Sequence, residues 1–184
     1  MEYSDFGYWA FHHTTENPTD SGFDSVFAGG YDIKKVDMNK LAQDSAIPNA
    51  PVQYNGKAYA TITDAWTTGP DNSHTAFVGT ANLTFNPNSG APTETLTTNF
   101  ASSGWYNMTM TGTGDNRSLA FSGTPTNNAY KFATAPAISE NVTIEYFGDK
   151  PHAVATEVVG IVNLGEAAMA DGNDRYIEIS FGAK

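Results

Sequence analysis

The stretch Glu140–Lys184 decides the fold: ENVTIEYFGDK (140–150), PHAVATEVVGIVNL (151–164), a loop, then RYIEISFGAK (175–184). Three runs in it alternate apolar and polar residues: Val142–Phe147, Glu157–Leu164 and Tyr176–Phe181. That period of two predicts strands with one face buried. The break Gly148–Ala153 between the first two runs contains Pro151, which has no N–H to donate to a ladder. In the second run Val158, Gly160 and Val162 share one face, and Val159, Ile161 and Asn163 the other. A chain that closes on a strand suits a barrel better than an open sheet with a loose edge.

Working outward, Val52 onward repeats the same grammar. Strands are predicted at Val52–Thr63, Thr75–Phe85, Glu94–Ala101, Trp105–Gly112, Ser118–Ser122 and Ala129–Phe132, before the closing three. Breakers such as Gly69-Pro70-Asp71-Asn72, Asn86-Pro87-Asn88 and Asp171-Gly172-Asn173 separate them. Threonine is abundant on these runs, as expected where one face meets water. Short strands separated by turn signals predict an all-β antiparallel barrel or sandwich, and eight or nine such strands suffice to close a small barrel filled by side chains. Ahead of it, Tyr3–Thr15 is an aromatic strand with Phe6, Tyr8 and His12 on one face and Trp9, Phe11 and His13 on the other. Phe23–Ile33 is a second, in which Gly29-Gly30 marks a bulge, a tight turn or a close backbone approach. Lys34–Ala46 supports a turn or two of helix, and Ile47-Pro48-Asn49-Ala50-Pro51 a linker. The linker places a boundary between two parts of the structure, residues 1–50 and 51–184.

Composition narrows the function classes. With 20 acidic and 9 basic residues the net charge is -11, which repels nucleic acid and anionic membranes. Such a charge permits a basic protein partner, or serves solubility alone. There is no cysteine, so disulfides, thiolate metal sites and a cysteine nucleophile are excluded. No run reaches the roughly eighteen apolar residues of a membrane helix. Met1-Glu2-Tyr3 enters folded-looking sequence with no signal peptide.

Order and spacing of several segments give this chain a family likeness. They are Tyr3-Ser4-Asp5-Phe6-Gly7-Tyr8-Trp9, Tyr54-Asn55-Gly56-Lys57-Ala58, Ala76-Phe77 with Leu83-Thr84-Phe85, and Leu119-Ala120-Phe121-Ser122-Gly123. The ending adds Tyr146-Phe147-Gly148 with Pro151, Glu157-Val158-Val159-Gly160 and Phe181-Gly182-Ala183-Lys184. Together the chain resembles the transferrin-binding-protein-B-like family of bacterial surface proteins. It departs from the family's ending at Asp149-Lys150 and at Val159. The resemblance implies a small β-rich handle, residues 1–50, followed by an eight-stranded antiparallel up-and-down β-barrel, residues 51–184, placed on the outer membrane surface or secreted. It also implies non-covalent capture of haem or of a host iron-carrier protein, with a dedicated outer-membrane receptor or secretion partner. Relatives include haemophilins and complement-regulator binders, so an adhesion or host-regulator-binding protein without a haem site is the alternative. Many members carry an anchoring cysteine; its absence implies a chain that starts after the anchor or a secreted member.

No G-x-S-x-G, H-E-x-x-H or P-loop is present, so an enzyme is not the expectation. The candidate ligand site is Tyr8, Trp9 and Phe11 with His12 or His13, an aromatic wall beside an imidazole that suits haem as a ligand. Adjacent strand histidines face opposite ways, so one of the two would serve a given pocket, or both are ordinary polar residues at a strand end. Trp66 and His74, beside loop breakers, are candidate partner contacts, whereas Trp105, with Met108 and Met110, is expected in the core. The sequons at Asn82, Asn107, Asn116 and Asn141 follow from composition. The acidic turn at Asp171–Asp174 lacks the terminal glutamate of a calcium loop. No cofactor or metal is required.

Overall fold

The computed structural model describes residues 1–9, 25–44, 46–64, 75–88, 91–113, 116–136, 142–150 and 153–184. Ten strands are present among them. β1 (Ser4–Trp9) and β2 (Ser25–Gly30) form a two-stranded antiparallel sheet. The remaining strands are β3 (Val52–Asp64), β4 (Thr75–Asn86), β5 (Thr93–Asn99), β6 (Asn107–Thr113), β7 (Asn116–Ser122), β8 (Val142–Phe147), β9 (Glu157–Ala168) and β10 (Asp174–Ala183). They form one eight-stranded sheet in the order β7-β6-β5-β4-β3-β10-β9-β8, antiparallel throughout.

That order is an up-and-down barrel whose first and last strands have found each other. β10 pairs with β3 from Arg175↔Asp64 to Ala183↔Gly56, and with β9 on its other side. The closing strand is therefore central in the sheet, as its sequence pattern predicts. Among the described residues no ladder joins β7 to β8, and the sheet curls until these two edges face each other across a seam.

Alternation explains the filling. Tyr54, Ala58, Ala60 and Ile62 of β3, Leu83 and Phe85 of β4, Leu96 of β5 and Met108 and Met110 of β6 point inward, none more than 2% exposed. Val158 and Val162 of β9 and Ile177, Ile179 and Phe181 of β10 complete the interior at 0%. The outward positions of β4 to β7 are mainly threonine, asparagine and serine. This is the inverse of a lipid-facing barrel, which carries its apolar band outside. Among the described residues no helix is long and apolar enough to cross a membrane.

One device keeps β9 in phase. Its inward residues are even-numbered to Leu164, then odd at Ala167 and Met169. The switch falls where Ile177 pairs with Gly165 but Glu178 pairs with Asn163. Gly165 sits at φ 65°, a left-handed conformation that glycine takes without a Cβ clash, and the extra residue forms a bulge.

The barrel's two ends are closed differently. At one, the six-residue helix α1 (Met38–Gln43), capped by the Asp37 carboxylate accepting from Lys40 N, puts Met38, Leu41 and Ala42 into the barrel's own core. At the other, Trp105 stacks on Phe77 at 5.7 Å and meets Phe100, Tyr106 and Phe132 edge-on. Trp105 is 2% exposed, the core position expected of it.

One predicted strand is absent. Ala129–Phe132 is not a strand: the Asn127 side chain accepts from Ala129 N and turns Asn128–Tyr130 into a single 3-10 turn, leaving Phe132 one bridge to Met169. Of the readings expected for Gly29-Gly30, the close backbone approach holds: β2 ends at Gly30, where a Cβ would lie 2.5 Å from Tyr3 O and 2.7 Å from the Phe147 ring.

Candidate functional site

The two-stranded sheet lies on the outside of the barrel, over β8, β9, β10 and β3. Its seat is made of positions that outward alternation would normally leave to water. Phe147 and Val159 are 0% and 1% exposed yet stand apart from the barrel's interior, and Ser180 and Gly182 are buried with them. Phe6 rests on Gly182, where a Cβ would lie 2.1 Å from its ring, and its ring is 5.7 Å from that of Tyr59. A glycine is required at 182 because the aromatic ring occupies the space of a side chain.

Polar contacts fix the angle of docking. The Glu157 carboxylate, 4% exposed, accepts hydrogen bonds from the backbone N–H of Glu2, from Tyr3 N at 3.0 Å and Ser4 N at 3.1 Å, and from Ser4 Oγ at 2.8 Å. Burial pushes the Glu157 carboxyl up, but the donors from Glu2, Ser4 and Tyr3 outweigh it and hold the group below the ordinary carboxylate range. Ser180 Oγ donates to Gly7 O at 2.8 Å, and Val26 N donates to Glu178 Oε2 at 3.4 Å. Beyond β2 the chain stays bound to β8: Val36 N donates to Tyr146 O at 2.8 Å, and Gly148 N to Lys34 O at 2.9 Å. Lys34 pairs with Asp149 at 2.9 Å, and Lys35 with Glu145 at 2.8 Å and Asp32 at 3.0 Å.

The register places the exits of both predicted contact regions. β1 and β2 end at Trp9 and Ser25, which are paired; next to them Val26 touches Glu178, and Glu178 pairs with Thr61 three residues before the end of β3. β3 ends at Asp64 opposite Arg175. The strand ends that lead into residues 10–24 and 65–74 thus lie at the same, aromatic-packed end of the barrel. Tyr8 and Trp9 are the last residues of β1, opposite Val26 and Ser25. Phe11, His12, His13, Trp66 and His74 lie outside the described residues, as does His152.

Toward the other end of the handle, a shallow depression of about 640 Å³ is lined by Tyr3, Asp5, Phe27, Gly29 and Tyr31 with Met1. Tyr31 is 68% exposed there, an aromatic surface with few contacts of its own. Inside the barrel, Glu94 is 3% exposed and receives Arg117 Nη2 at 2.9 Å and Tyr146 Oη at 2.8 Å. Burial first, then the Glu94 charge, raises the Tyr146 hydroxyl well above its usual value, so it stays a donor. The acidic turn is committed elsewhere: both Asp171 oxygens meet Arg175 at 2.9 Å, and that pair, against a smaller burial effect, lowers the carboxyl to about 2.

Sequence reasoning missed Glu157 as the fastening of the handle. The signal available was a carboxylate at the start of an otherwise apolar strand, facing the side opposite the barrel core.

Handle and barrel together define a class of β protein, a small sheet clamped to the wall of an eight-stranded barrel. Among solved structures the fold is similar to the crystal structure of a surface lipoprotein, with 13% identity and a TM-score of 0.54 over the whole of this chain and 76% of that one. No family model matches the chain, and no curated protein sequence does.

Proposed function

We propose that the protein is a non-enzymatic ligand-capture protein of the transferrin-binding-protein-B-like kind, on the bacterial surface or secreted, taking up haem or a host iron-carrier protein. The observation that supports this reading is the two-stranded sheet fastened to the barrel wall through Glu157 and Ser180, so that β1, β2 and β3 have their ends at Trp9, Ser25 and Asp64 toward one end of the barrel. Rigid scaffolds that present loops side by side suit recognition of a large or planar ligand. The lumen is filled by side chains, so a ligand is held at that end and on the handle, outside the barrel. The fold shared with a surface lipoprotein supports placement at the cell surface.

Haem and protein ligands separate by experiment. Haemin titrated into the purified protein gives a shifted Soret band if His12 or His13 binds iron, and the shift weakens in His12→Ala or His13→Ala. With no shift, binding to immobilised transferrin, lactoferrin or haemoglobin identifies the carrier. Folded protein that binds none of these overturns the proposal and leaves adhesion or host-regulator binding as the alternative.

A further inference from the structure

Among the described residues the barrel has one line, between β7 and β8, where side chains take the place of backbone pairing. β7 and β8 are the two ends of the sheet order, and no ladder joins them among the described residues. The inward residues that border this line, Leu119 and Phe121 on β7 and Val142 and Ile144 on β8, are only half-buried, while inward residues of β3 and β10 are shut off from water. Elsewhere the sheet presents paired backbone; here it presents apolar edges with a gap to bridge.

Two clasps bridge it. From β7, Arg117 reaches Val142 O of β8 at 3.4 Å with Nη1 and Glu94 Oε2 of β5 at 2.9 Å with Nη2. The other oxygen of Glu94 receives the Tyr146 hydroxyl of β8 at 2.8 Å. A single buried carboxylate therefore ties β8 to β5 and, through Arg117, to β7. The second clasp is aromatic and lies on the crossing that follows β7. Phe132 stacks on Tyr106 at 4.7 Å, meets Phe121 at 5.0 Å and bridges to Met169 beyond the end of β9.

We propose that the β7–β8 line is a built-in opening seam, closed by the Arg117–Glu94–Tyr146 clasp at one end and the Phe132 staple at the other. Releasing the polar clasp parts β7 from β8 while the β3–β10 join stays shut. The reason is local cooperativity: a strand edge held by a few side-chain contacts opens at lower cost than one held by a continuous ladder. Ladder pairing on the far sides of β7 and β8 (with β6 and β9) anchors each strand, so the motion is a parting of two edges and the rest of the sheet remains folded.

The test is amide exchange on the full chain with Tyr146→Phe, which removes one hydrogen bond and no volume from the core, and Glu94→Gln, which removes the charge. Exchange in 116–122 and 142–147 should rise tenfold or more, with 52–64 and 174–183 unchanged. Binding of an apolar fluorescent dye should rise in parallel as Leu119, Phe121, Val142 and Ile144 are uncovered. If Glu94→Gln does not fold, Tyr146→Phe alone decides. A uniform rise across all strands means ordinary global destabilisation and overturns the seam; so does unchanged exchange at β7 and β8.

Discussion

The barrel and its handle are held by different physics. The barrel is a dispersion-packed interior wrapped in a ladder, in which Phe181, Leu83, Leu96 and Met108 are shut off from water. The handle is seated largely by polar contacts, with the buried Glu157 carboxylate gathering four donors, Ser180 holding Gly7 and Glu178 holding Val26, beside two points where an aromatic ring meets a glycine. Apolar packing is distributed, so no single group decides it. A hydrogen-bonded clamp is concentrated, so one atom can undo it. A scaffold of the first kind carrying a presenter of the second kind can change what it presents without losing its fold.

The largest effect should come from attacking the distributed part at one of its fully buried rings. Phe181→Ala removes a ring packed over Gly160 and should cost about 3–5 kcal/mol by denaturant unfolding. Because handle and barrel share β10, both should lose protection together. A loss confined to the handle would show that the barrel does not depend on this ring.

Glu157→Gln attacks the concentrated part. It keeps the shape and removes the charge on which four donors converge, so docking should weaken by about 1.5–3 kcal/mol. Amide exchange should rise in β1 and β2 while the barrel's unfolding midpoint barely moves. Acid should mimic it. The folded carboxyl titrates below its unfolded value, so its contribution is complete above the ordinary glutamate pKa of about 4.3 and is lost as pH falls through the lowered folded value. Handle protection factors, taken relative to the intrinsic exchange rate at each pH, that stay flat from pH 5 to pH 3 would contradict the clamp.

The smallest effect belongs to the β9–β10 turn. Asp171→Asn breaks a pair that faces water on the carboxylate side, and should cost under about 1 kcal/mol. Its acid dependence should fall between about 4, the unfolded value, and about 2, the folded one.

Most of the barrel was legible because alternation and turn chemistry are local. Val142–Phe147 is a strand over the predicted range, and Val158, Gly160 and Val162 share the inward face as their spacing indicates. The false strand at Ala129–Phe132 has the right composition, but the deciding event is one side-chain bond from Asn127 that periodicity does not see. The handle's seat was not legible for a different reason. Phe147, Glu157, Ser180 and Gly182 face outward from the barrel, and what covers them comes from more than a hundred residues away in sequence. The ending that carries the family likeness turns out to contain that seat: Glu157 holds β1, and Gly182 receives Phe6. The buried Glu94–Arg117–Tyr146 group escaped for the same reason, since three strands must fold before its members meet.

The central claim is capture of a ligand by what the handle and barrel present from one end. Its most direct test is equilibrium binding of haemin, haemoglobin, transferrin and lactoferrin to the intact protein, alongside variants at His12, His13, Trp66 and His74 and the handle-releasing Glu157→Gln. The account predicts saturable binding to one of these ligands, weakened by substitution of one or more of His12, His13, Trp66 and His74 and weakened again by Glu157→Gln while the barrel stays folded. Binding that ignores all of these changes, or no binding by protein shown to be folded, would contradict it.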